Sequence, residues 1–196
     1  MTTSFDLDRR AVLRATATAA AAMAAGAAPA EAQTATREVV VQRFSIVSKK
    51  PFETVVAAFE SPIGHPDMRK FLKDVAAAKT AEQLHEVVDQ AVGKSGLMEF
   101  VRFDLGVVIA MEGGSSGHSL RYLVGNPVIM AAMAKHVPDA GSYAPVTVLI
   151  DERADGVHLS YDKMASYLAP YGNAEALKVA RDLDSKIENL LTAAAA

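Results

Sequence analysis

Apolar residues along this chain recur with two different periods, and the switches between them predict the order of elements. Residues 38–48 (EVVVQRFSIVS) are β-branched and aromatic and predict a strand. Pro51 then suits the first turn of a helix carrying Phe52, Val55, Val56 and Phe59 at helical spacing, stopped by Pro62 and Gly64. Pro66 opens a second helix with Met68, Phe71, Leu72 and Val75 on one face. In a third, Thr80 and Gln83 form a capping-box pattern ahead of the stripe Leu84, Val87, Val88, Ala91 and Val92, and Gly93 and Gly96 end it. Residues 97–111, rich in Phe and Val, predict two strands meeting near Asp104 and Gly106. Gly113 to Gly117 reads as a loop and residues 119–124 as a strand.

Asn126-Pro127 has the chemistry of a helix start, because the Asn side chain accepts an orphan amide and Pro fits the first helical position. That helix is predicted to run to about His136. Residues 146–150 and 157–161 predict a hairpin, with Asp155-Gly156 supplying its turn. A last helix starts near Asn173 and spaces Leu177, Ala180, Leu183, Ile187 and Leu190 by threes and fours, followed by an Ala-rich tail at 192–196. Strands joined by short turns, interleaved with helices, predict an α+β fold with a largely antiparallel sheet rather than βαβ units.

The first 32 residues follow different rules. Asp8-Arg9-Arg10-Ala11-Val12-Leu13-Arg14 precedes a small, weakly apolar tract at 15–28, and Ala30-Glu31-Ala32 offers a cleavage site before Gln33. This is the layout of a twin-arginine export signal, with Arg9 and Arg10 as its paired bases. The tract is too short for a spanning helix, which needs about 20 apolar residues. The expectation is a protein working in the periplasm or outside the cell, with no stable membrane insertion after cleavage. Residues 33–37 read as a short tail and 38–191 as one domain.

Charge and composition narrow the chemistry. Lys and Arg total 20 against 23 Asp and Glu, a net charge of −3. Arg9, Arg10 and Arg14 balance Asp6, Asp8 and Glu31, so the chain after residue 32 carries all of it. No basic block remains there, which argues against nucleic acid or an anionic membrane as partner. The absence of cysteine removes disulfides, thiolate catalysis, lipid attachment at Cys and Cys-ligated metals. The absence of Trp removes the commonest sugar-stacking surface.

Residues 121–162 (RYLVGNPVIMAAMAKHVPDAGSYAPVTVLIDERADGVHLSYD) resemble the family called "domain of unknown function 302". The matching parts are Gly125-Asn126-Pro127 opening a helix, Tyr143-Ala144-Pro145 entering a strand, and Asp155-Gly156 in the hairpin before Ser160-Tyr161-Asp162. Lys50-Pro51-Phe52, Ser95-Gly96-Leu97-Met98 and Val179-Ala180-Arg181-Asp182-Leu183-Asp184 look like an exported branch of it. The resemblance covers roughly residues 38–191 and rests on the ordered set rather than on one motif. It implies a TATA-box-binding-protein-like sheet with helices packed on one face, as a homodimer, and it implies no established activity. The chain departs from the pattern at Met164-Ala165-Ser166, where a Pro-Ser pair is expected.

His65, His85, His118, His136 and His158 never fall three to five residues apart, so the usual metal spacings are missing, and no metal is assigned. No motif specifies a cofactor either: Cys-x-x-Cys-His is absent, and Met98, Met111, Met130, Met133 and Met164 read as core filling. Gly113 to Gly117 lacks the Lys-Ser/Thr ending of a phosphate loop, and Gly114-Ser115-Ser116-Gly117 is not a nucleophile elbow. What remains is a polar and aromatic group at strand ends and loop mouths: His118, Arg121, Tyr122, Asn126, Tyr143, Tyr161 and Asp162. Arg121 offers a bidentate clamp for a carboxylate and His118 a group titrating near neutrality. Helix capping accounts for Asn126 equally well, and strand alternation accounts for Tyr161. Two functions follow as expectations. The first is a homodimeric small-molecule-binding or accessory protein, with Arg121 and His118 anchoring a ligand in a cleft between sheet and helices. The alternative is an enzyme in which His118 is the base and Tyr143 or Tyr161 the acid.

Overall fold

Alternation along five strands decides which side of the sheet is buried. β1 (Arg43–Ser48), β2 (Met98–Asp104), β3 (Ser119–Gly125), β4 (Val146–Arg153) and β5 (Gly156–Asp162) form one antiparallel sheet in the order β1-β5-β4-β3-β2. β2 to β5 follow one another as neighbours, and β1 adds beside β5. The computed structural model describes residues 34–114 and 117–196, and the chain divides into a unit Met1–Arg37 and a unit Glu38–Ala196. Every element named here belongs to the second unit. The expected leader, with Arg9 and Arg10, lies outside the described residues, as do Ser115 and Ser116.

On one face Tyr122 and Val124 of β3, Val148 and Ile150 of β4, and Leu159 and Tyr161 of β5 are buried. They pack against helix α1 (Phe52–Glu60), through Val55 and Phe59, and against α7 (Ala174–Ala195), through Ala180, Leu183, Ile187 and Leu191. Each such large side chain contributes about 1.5–3 kcal/mol by leaving water, so this layer carries the stability. Helices α5 (Pro127–Ala134) and α6 (Met164–Leu168) pack on α7. A second cluster, Phe71, Val88, Ala91 and Met98, fixes α2 (Met68–Ala77) and α3 (Ala81–Ala91) to the edge strand β2. The α+β class and the antiparallel sheet are therefore as the periodicity predicts, and the helices pack on one face of it as the family resemblance implies.

Local signals explain most element ends. Thr80 Oγ1 accepts from the Gln83 amide at 3.3 Å, and Gln83 Oε1 accepts from the Lys79 amide at 2.8 Å, one residue earlier than a strict capping box. Asn173 caps α7 by accepting from the Ala176 amide at 2.9 Å. Gly156 turns the β4–β5 hairpin at φ 134°, in the region that favours glycine. Gly64 and Gly93 do more than stop helices. A Cβ on either would overlap the other loop's backbone, and both amides donate to the Leu97 carbonyl at 2.9 Å.

Several boundaries differ from the sequence expectation for identifiable reasons. Pro51 stands at the N-cap of α1 rather than in its first turn, and Pro66 precedes Asp67, which caps α2 by accepting from Arg69 and Lys70 amides at 2.9 and 3.1 Å. The first strand begins at Arg43, not 38, because its last registered partner is Asp162, where β5 ends. Residues 97–111 form one strand and then helix α4 (Leu105–Met111) instead of two strands. β2 is already paired along β3 down to Asp104↔Leu120, so the chain leaves the sheet there. Asp104 then accepts from the Val107 amide at 3.4 Å and starts a helix in β-branched sequence, where context overrides propensity. α5 ends at Ala134, short of His136. The Ala-rich end is helical through Ala195, with Leu191 and Ala194 buried.

Candidate functional site

Side-chain parity separates the candidate residues before any distance is measured. Tyr122 and Tyr161 point into the helix-covered layer and are buried. The Tyr122 hydroxyl donates to Glu60 Oε1 at 2.8 Å, an oxygen that also accepts from Arg102 at 2.8 Å, and its ring meets Phe59 edge-on at 5.0 Å. Tyr161 donates to Asp184 Oδ1 at 2.5 Å. The same carboxylate accepts from the amides of Met164 at 2.7 Å and Ala165 at 3.2 Å, so a buried Asp in α7 caps α6 from a distance. Burial, foremost, and the adjacent carboxylate push both phenols well above the usual tyrosine range. Neutral donors are what these positions require, and both tyrosines are structural.

Asn126 is likewise fully used. Its Oδ1 accepts from Val128 and Ile129 amides at 2.8 and 3.3 Å, and its Nδ2 donates to the Gly96 carbonyl at 3.0 Å. It borders a small apolar cavity of about 80 Å³ walled by Met130, Met133 and Leu183.

The opposite, open face holds the other group. Arg43 and Asp162, register partners across β1 and β5, form a bidentate pair at 2.6 and 2.8 Å. That hydrogen-bonded guanidinium outweighs partial burial and holds the Asp162 carboxyl below the usual carboxylate range. The Tyr167 hydroxyl donates to Asp162 Oδ2 at 3.5 Å, and desolvation pushes the Tyr167 phenol upward. Tyr143 stacks on Tyr167 with ring centroids 4.7 Å apart and planes 14° from parallel. The Tyr143 and Tyr171 hydroxyls lie 3.2 Å apart, and Tyr171 donates to Asp139 at 2.6 Å, a bond that raises the Tyr171 phenol.

These residues wall a groove of about 460 Å³ lined by Arg121, Leu123, Tyr143, Pro145, Thr147, Asp162 and Tyr167. A branch of about 200 Å³ shares Arg121, Thr147 and Asp162 and runs on past Leu149 to Leu105 of α4. Four arginines stand on the strands. Arg43, Arg102 and Arg153 are ion-paired, to Asp162, Glu60 and Asp151. Among the described residues, the Arg121 guanidinium has neither an ion-pair nor a hydrogen-bond partner, although it lines both parts of the groove.

His118 is elsewhere. It precedes β3 with the opposite parity from Arg121, stacks on Phe52 of α1 at 4.7 Å and pairs through Nδ1 with Glu152 Oε2 at 3.0 Å. It lines a neighbouring cavity of about 500 Å³ with Ile109, Glu152 and Arg153, which shares only Leu149 with the branch of the groove. Arg121 and His118 therefore do not share a cleft between sheet and helices, because a three-residue separation puts them on opposite faces. The His118–tyrosine pair is not assembled either, since His118 bonds Glu152, Tyr161 bonds Asp184 and Tyr143 meets Tyr171. Among the described residues, no group of three His, Asp or Glu side chains is arranged to hold a metal.

Of the seven candidates, the main groove brings together Arg121, Tyr143 and Asp162, and Tyr161, its hydroxyl held by Asp184, also borders the branch. The groove adds Arg43, Thr147 and Tyr167, which sequence reasoning missed. Arg43 becomes visible only with the β1–β5 register, and Tyr167 lies on α6, too short to leave a periodic trace.

A five-stranded antiparallel sheet with helices on one face and a polar-aromatic groove on the other defines an α+β protein of sheet-and-helix-layer type. Within that class the chain belongs to the family "Domain of unknown function DUF302", whose model matches residues 73–194. All the groove residues named except Arg43 fall inside that match. Among solved structures, the chain is similar to an uncharacterized conserved protein DUF302 from Bacillus stearothermophilus, at 11% identity and a TM-score of 0.56. The likeness covers 78% of this chain and 97% of that one, and it speaks for the fold. A search of the curated proteins found no match.

Proposed function

We propose that this chain is an exported, homodimeric small-molecule-binding protein whose ligand lies in the open-face groove around Arg121. One observation carries the reading: Arg121, Tyr143 and Asp162, chosen from sequence for their chemistry, line a single groove in which the guanidinium has no partner among the described residues. A partnerless cation among polar and aromatic walls on a rigid sheet is what a binding site for a small polar molecule requires.

The dimer draws support from α4. Its sequence LGVVIAM is apolar all round, and Val107, Val108, Ile109 and Met111 are exposed together with Phe103 at the end of β2. A helix of that composition normally has both sides covered, and the family resemblance supplies a second copy as its cover. The same resemblance supplies the TATA-box-binding-protein-like description of the sheet. Export rests on the leader at residues 1–32 alone. No described helix is long and apolar enough to cross a membrane.

Native mass spectrometry of protein purified from the periplasm of its own host, compared with the same sample denatured, tests all three parts. The expected result is a dimer lacking residues 1–32, with a mass excess that denaturation removes and that Arg121→Ala abolishes. A monomer with the leader retained and no mass excess would overturn the reading.

A further inference from the structure

Resting on that binding site, we infer that the open-face groove takes an aromatic monocarboxylate, its carboxylate clamped by Arg121 and its ring set against the stacked Tyr143 and Tyr167. The charge count selects the acid. Asp162 is the groove's carboxylate, and it is already neutralised by the bidentate Arg43. Among the described residues that leaves one uncompensated positive charge, on Arg121, and no lysine lining either part of the groove. A single guanidinium fork matches a planar carboxylate, which accepts two parallel hydrogen bonds. A phosphate dianion would bring a second negative charge towards Asp162 with no cation to meet it.

The rest of the wall selects the body of the ligand. The Tyr143–Tyr167 stack presents aromatic surface, and Leu123 and Pro145 extend it with apolar surface. A flat ring gains from such a wall beyond simple area burial. The main groove, about 460 Å³, suits a single-ring acid, and the branch past Thr147 leaves space for a substituent. A histidine plays no part, which distinguishes this site from one anchored by His118. The Arg43 guanidinium holds the Asp162 carboxyl below the usual carboxylate range and no histidine lines the groove, so affinity is expected to be flat from about pH 6 to 9. A histidine-anchored acid would instead be released as pH rises past about 6.5.

The test uses backbone amide NMR shifts of the protein titrated with 4-hydroxycinnamate, its methyl ester and inorganic phosphate. The acid is expected to move the amides of Arg121, Leu123, Thr147 and Tyr167, with the ester and phosphate inert at the same concentration. Arg121→Ala should weaken the acid about tenfold or more, the loss of a charge-assisted pair. Tyr143→Leu should weaken it several-fold, and His118→Ala should leave it unchanged. An ester that binds as tightly as the acid, or phosphate that displaces it, overturns the carboxylate class while the groove remains a binding site. If no groove amide moves with the acid, the class is also overturned. The mass excess of the host-purified protein then separates the two failures. A retained molecule of other chemistry that Arg121→Ala removes leaves the binding reading standing, and its absence ends both.

Discussion

Both faces of this sheet carry tyrosines, and they are held in opposite ways. On the helix-covered face Tyr122 and Tyr161 each end on a carboxylate, Glu60 or Asp184, and have no contact with solvent to spare. On the open face Tyr143 and Tyr167 stack on each other beside a guanidinium that nothing in the described structure neutralises. The same residue type thus serves as an internal strut on one side and as a ligand wall on the other. Environment decides which. Burial demands a partner for every polar atom, whereas a half-exposed face tolerates an unsatisfied one because water can serve it until something else does.

The contrast should break first at Asp184. Asp184→Ala removes the acceptor for the Tyr161 hydroxyl and for two α6 amides at once, and is expected to cost about 3 kcal/mol or more by chemical denaturation. A loss no larger than that of an average surface substitution would mean that this face is less tightly tied than its geometry implies.

Alkaline pH is the next lever. Tyr122 and Tyr161 have phenols raised above their unfolded value of about 10. Their contribution is complete below that pH. It is lost as pH rises, because the unfolded chain releases these protons first. Stability should fall above about pH 10, with a shallower slope in Tyr161→Phe. Phenolate absorbance should appear for these two residues only as the protein unfolds.

Effects on the open face should be smaller. Arg43→Ala is expected to cost about 0.2–1 kcal/mol at neutral pH, the range of exposed pairs. Asp162 has a lowered pKa in the folded state, so the difference between wild type and variant should vanish as pH falls below about 4. Arg121→Ala should change stability least, within about 0.5 kcal/mol, while removing ligand affinity. A clear loss of stability there would make Arg121 another strut and dissolve the contrast.

Legibility from sequence followed the same division. The helix-covered face could be read because burial imposes periodicity: the alternation Val157, Leu159, Tyr161 and the caps Thr80, Asn126 and Asn173 all stand where the pattern put them. Asp184 left a signal that was not used, a carboxylate sitting in the apolar stripe of α7 between Leu183 and Ile187. Leu105 to Met111 misled because a short apolar run carries no decisive period; strand length, not composition, determined its state. The groove was half legible. Residue type singled out Arg121, Tyr143 and Asp162, but nothing local says that Tyr167 stacks on Tyr143 or that Arg43 meets Asp162. The pairing of Arg121 with His118 failed on parity, which the numbering alone already contained.

The Ser48 hydroxyl at the end of the first strand donates to the carbonyl of Ala195 at 2.7 Å, and the α6 cap waits on Asp184. A ribosome releases this chain from its N-terminal end, so the sheet and most helices emerge before the element that closes them. Folding of the domain is therefore completed only once α7 has emerged, after every strand of the sheet. A message cut short within the last helix would yield a product that has nearly all its strands and cannot finish its core.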